Sequence, residues 1–60
     1  MNDKALTYYR QCILIWDNTL EDAFDITACW FGKPAAEAAR DAYNTDPALR
    51  EMCDLCELND

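Results

Sequence analysis

The sequence predicts an all-α fold, a small bundle of three to four short helices, from three observations. Apolar residues recur at intervals of three and four, as on the buried face of a helix. Asp, Asn, Thr, Gly and Pro separate these periodic stretches, where helix caps are expected. The chain is 52% hydrophobic and 12% aromatic, which is too apolar for a disordered segment. We expect residues 1–60 to form a single domain.

Helix A is predicted at about residues 3–17. Its apolar face is formed by residues spaced by four, three and four, namely Ala5, Tyr9, Cys12 and Trp16. The segment also contains aromatic and β-branched side chains that are common in strands. A β-hairpin between residues 8–16 and 26–31 is therefore the alternative.

Helix B follows Asp17. Either Asn18 caps it, with Glu21 at the third helical position, or Thr19 caps it together with Asp22. Its apolar face is predicted to contain Leu20, Ala23, Phe24, Thr27, Trp30 and Phe31. Gly32 is expected to end this helix, and Pro34 suits the first position of the next one.

Helices C and D complete the predicted bundle. Residues 35–43 are rich in alanine, the best helix former, and the helix should end at Asn44. Asp46 and Pro47 then predict the start of helix D. Its apolar face would collect Ala48, Leu49, Met52, Cys53, Leu55 and Cys56. The short connections indicate antiparallel neighbours.

The pair Cys53 and Cys56 is interpreted as part of the core of helix D. Carboxylates next to the pair oppose the thiolate that redox chemistry would need. A zinc site would also require Cys12 and Cys29, because the chain has no histidine. Cys29 is expected either exposed or buried against helix C. We therefore expect no metal and no cofactor, and a Cys-ligated zinc module is the third functional hypothesis.

The composition argues against an enzyme. The chain contains neither histidine nor serine, so Ser-His and Cys-His nucleophile pairs cannot form within it. Its carboxylates lack the apolar, basic or glycine-rich surroundings that would tune their pKa values or bind phosphate. No catalytic residue is predicted.

Charge and hydropathy restrict the possible partners. The net charge of −7 repels nucleic acid and anionic membrane surfaces, so direct binding to either is not expected. The longest apolar run, residues 12–16, is too short for a secretion signal or a membrane span. A cytoplasmic location is therefore predicted.

Two acidic series form the predicted partner-binding surface. Residues 11–32 contain four acids and no base, and residues 41–60 contain six acids against Arg50. The predicted binding residues are Asp17, Glu21, Asp22, Asp25, Glu51, Asp54 and Glu57. One helix edge places a carboxylate only every ~6 Å, whereas a DNA strand has a phosphate every ~3.4 Å. Helices B and D would therefore have to lie side by side to imitate a polyanion.

In its length, acidity and carboxylate series, the chain resembles the small phage proteins that block host defence, the anti-CRISPR and anti-restriction inhibitors. The resemblance implies a stoichiometric inhibitor that occludes the nucleic-acid-binding site of a basic partner in a bacterial cytoplasm. The alternative is a homo-oligomeric helical module, for example a homodimer, whose contacts involve Leu14 and the aromatic residues.

Overall fold

Three α-helices form the part of the chain that the computed structural model describes, residues 3–51. They are α1 (Asp3–Leu14), α2 (Leu20–Phe31) and α3 (Lys33–Thr45), and a 3₁₀ turn at Pro47–Arg50 follows. Within this range no residue is in a β-strand. The all-α prediction is therefore confirmed, and the β-hairpin alternative is wrong.

Helix α1 ends at Leu14, three residues earlier than predicted, and the connection to α2 that follows contains Asp17 with a left-handed backbone. Asp17 has a φ of 61°, in the left-handed region that short polar side chains tolerate better than most others. The N–H of Trp16 bonds to the carbonyl of Gln11 at 3.1 Å, and the N–H of Asn18 to that of Cys12 at 2.9 Å. These hydrogen bonds satisfy backbone carbonyls in the last turn of the helix.

The caps of α2 match the sequence signals. Of the two predicted N-caps the chain uses Thr19, whose hydroxyl accepts a bond from the N–H of Asp22 at 3.1 Å. Gly32, with a φ of 93° that few L residues adopt, ends the helix and donates to the carbonyl of Ala28 at 2.8 Å. Pro34 then lies in the first turn of α3.

The core is built from small residues and two tyrosines. Its fully or almost fully buried apolar side chains are Ala5, Tyr9, Cys12, Ala23, Ala36, Ala39 and Tyr43. The rings of Tyr9 and Tyr43 meet edge to face, with centroids 5.5 Å apart. Helix α3 packs against both other helices, and its alanines allow their backbones to approach closely. The predicted core positions 5, 9 and 12 are confirmed.

Three predicted core residues of helices A and B are instead exposed. Trp16 is 54% exposed, Leu20 49% and Trp30 72%. Trp16 lies beyond the end of α1, while Leu20 and Trp30 lie in the first and last turns of α2. Residues at a core-facing helical angle are thus left uncovered where the bundle ends.

Helix D begins as predicted but does not continue. The carboxylate of Asp46 accepts from the N–H of Ala48 at 3.0 Å, and one 3₁₀ turn follows. Glu51 then has an extended backbone, so a continuous helix through residue 51 is wrong. Arg10 binds the carbonyl oxygen of Leu49 that a continuing helix would use. Ala48 is exposed and Leu49 is half-buried, and the predicted core residues of segment 52–60 lie outside the described residues.

Candidate partner-binding surface

The outer face of α2 presents three exposed carboxylates, Glu21, Asp22 and Asp25, which we call the acidic surface. The helix turns its buried residues, Ala23 and Thr27, toward the bundle. Intervals of three and four residues make Glu21 and Asp22 each a neighbour of Asp25 on the helix surface. All three side chains are exposed, as a partner-binding surface requires, and their role in binding stays a prediction.

Asp17 is also exposed. Its spacing of four residues from Glu21 predicts a place on the same helix edge, and this prediction is wrong. Helix α2 begins only at Leu20, and Asp17 lies in the preceding connection with its left-handed backbone. Its carboxylate therefore lies outside the regular spacing of the acidic surface. The residue has a conformational role in the connection between α1 and α2.

Only Glu51 of the second acidic series belongs to the described residues. Asp54 and Glu57 lie outside them. Glu51 is exposed, and its carbonyl oxygen accepts from Nη2 of Arg10 at 3.0 Å. The 3₁₀ turn before it packs against α1 and α3, and the described residues do not show the side-by-side arrangement of helices B and D that imitation of a polyanion would require.

The arginines of the chain bind carbonyl oxygens and an aromatic ring. Arg10 is buried, and its Nε donates to the carbonyl of Leu49 at 2.6 Å. Arg50 donates from Nη1 to the carbonyls of Tyr43 and Asn44 at the end of α3, at 3.1 and 3.3 Å. The guanidinium of Arg40 lies 4.5 Å from the ring centroid of Phe24. Several of the few basic side chains are thus used to hold the bundle together.

The carboxylates of the acidic surface consequently have no ion-pair partner in the part of the chain that the structure describes. Within residues 3–51, none of the carboxylates of Glu21, Asp22 and Asp25 forms an ion pair. Glu21 and Asp22 lie in the first turn of α2, where the helix dipole favours negative charge. The surface can therefore hold its charge without a cation from the same part of the chain.

Two tryptophans add apolar area that the sequence analysis placed in the core. The ring of Trp16 meets Tyr8 edge to face at 5.8 Å, and Tyr8 meets Phe31 in the same way at 5.8 Å. Trp30 makes no ring contact within the described part of the chain. Its position in the last turn of α2, two residues before Gly32, is the sequence signal that could have indicated exposure.

An open groove of about 270 Å³ lies beside Tyr8 and Phe31. Its lining is completed by Lys4, Thr7 and Gln11, and it includes no acidic residue. The groove is therefore chemically distinct from the acidic surface.

The two described cysteines are free thiols in different surroundings. Burial raises the pKa of Cys12, and a hydrogen bond with Asn18 lowers it in part, so the thiol is a poor nucleophile at neutral pH. Cys29 is exposed, which decides between the two predicted positions. Among residues 3–51, no three ligating side chains are grouped to hold a metal. Cys53 and Cys56, which the zinc hypothesis also requires, lie outside this range.

No helix within residues 3–51 has the length and apolar character needed to cross a lipid bilayer. No protein-family model matches the sequence, and no curated protein or solved structure matches it.

Proposed function

We propose that the chain is a stoichiometric protein-binding inhibitor whose acidic surface occludes the nucleic-acid-binding site of a basic partner. One observation carries the proposal: Glu21, Asp22 and Asp25 are exposed on one helix and form no ion pair within residues 3–51. A partner with clustered Lys and Arg side chains supplies the missing cations.

The overall charge supports the same partner class. With a net charge of −7, the chain attracts basic surfaces and repels nucleic acid. Surface charges act over roughly 10 Å at ordinary ionic strength, so the acidic surface would both steer the encounter and contribute at contact. An inhibitor that competes with nucleic acid needs these two effects.

The capping and packing of α2 further support the proposal. Thr19 caps the helix, Ala23 and Thr27 anchor it in the core, and Arg40 covers the ring of Phe24. The carboxylates are therefore presented on a preformed backbone, which lowers the entropy cost of binding. The phage anti-defence inhibitors that the sequence resembles imply the same mode of action, with a bacterial nucleic-acid-handling protein as the target.

The test is capture from a bacterial lysate on the immobilised chain at about 50 mM and about 500 mM salt. The double variant Asp22→Lys/Asp25→Lys should lose the captured partner, with an affinity at least about tenfold lower. The matched control is Glu37→Lys/Asp41→Lys, which makes the same charge change at exposed positions of α3. Duplex DNA should compete with the immobilised chain for the partner, and unchanged capture by the Asp22/Asp25 variant would exclude the proposal.

A homo-oligomeric helical module is the second candidate, and the exposed apolar residues favour it. Trp16, Leu20 and Trp30 are each about half or more exposed, and aromatic residues often dominate protein interfaces. Sedimentation of the purified chain separates the two candidates. A dimer that persists at high salt favours the module, whereas a monomer that binds a basic partner only at low salt favours the inhibitor.

A further inference from the structure

We draw no further inference here: the strongest candidate, the open groove beside Tyr8 and Phe31 that Lys4, Thr7 and Gln11 complete, carries nothing because no contact within the part of the chain that the structure describes shows what covers it.

Discussion

Arg10 of α1 binds the backbone of Leu49, 39 residues later in the chain, with 2.6 Å between Nε and the carbonyl oxygen. Its Nη2 also donates to the carbonyl of Glu51 at 3.0 Å. Because Arg10 is only 4% exposed, these carbonyl dipoles help to compensate a buried charge. The contact fastens the 3₁₀ turn to α1 and directs this cation to backbone oxygens.

Removal of the Arg10 side chain should therefore destabilise the bundle. Arg10→Ala deletes charge-assisted hydrogen bonds and leaves part-buried carbonyls without their donor, so we expect a loss of about 2–4 kcal/mol in the free energy of unfolding. Arg10→Lys keeps the charge but lacks the forked guanidinium that reaches two carbonyls. Its free energy of unfolding should therefore lie between those of the parent and Arg10→Ala. Urea denaturation measures both. Lys4→Ala, at an exposed position of α1, should stay within about 0.5 kcal/mol of the parent. An Arg10→Ala variant as stable as the parent would contradict this role.

The hydroxyl of Tyr9 is buried without a hydrogen-bond partner among the described residues. Tyr9→Phe should therefore leave stability unchanged or raise it by up to about 1 kcal/mol, because it removes a polar group that gains nothing from burial. Tyr9→Ala, which also deletes the ring packed on Tyr43, should cost about 3–5 kcal/mol. Urea denaturation of both variants is the measurement. A clear loss of stability in Tyr9→Phe would mean that the hydroxyl is paired in solution.

Alkaline pH should destabilise the fold through two core residues. Burial is the main cause that raises the pKa of Cys12 above its ordinary value of 9.0 and that of Tyr9 above 10.0. The unfolded chain therefore loses these protons at lower pH than the folded chain does. Their contribution to stability is present below about pH 9 and is lost as the pH rises through the folded-state pKa values. Thermal unfolding between pH 7 and pH 11 should show a falling Tm, and the fall should be smaller in Tyr9→Phe. An identical decline in parent and variant would contradict the assignment to Tyr9.

Asp17 combines a left-handed backbone with a charge, and substitutions can separate the two roles. Asp17→Val should cost about 1–2 kcal/mol, because a β-branched residue does not tolerate a φ of 61°. Asp17→Asn retains the backbone preference and should leave stability within about 0.5 kcal/mol. If the carboxylate also contributes to the partner-binding surface, Asp17→Asn should weaken binding of the captured partner while the Tm stays constant. A large stability loss in Asp17→Asn would show that the carboxylate itself holds the connection.

Much of the local structure could be predicted from the sequence. Thr19, Gly32 and Asp46 act through bonds to groups within four residues, so their effect is encoded where they stand. The helical spacing of Ala5, Tyr9 and Cys12 identified one face of α1 for the same reason. Glu21, Asp22 and Asp25 lie opposite the predicted apolar face of α2, and their exposure follows from that position. Their role in binding remains a prediction.

Only the tertiary structure determines which residues on the core-facing side of a helix are covered by other helices. It also determines which groups the arginine side chains bind. Trp30 has a core-facing spacing, yet it is exposed because the bundle ends around it. Arg10 binds carbonyls of residues 49 and 51, which reach it only through the packing of the 3₁₀ turn on α1. Hydrogen bonds within a helix turn depend on neighbouring residues, whereas coverage and long-range pairing depend on how separate elements meet in space. The sequence by itself therefore determined the three α-helices, the caps at Thr19 and Gly32 and the unbalanced charge, and the packing of the bundle determined that the acidic surface stays open and that Trp30 is left uncovered.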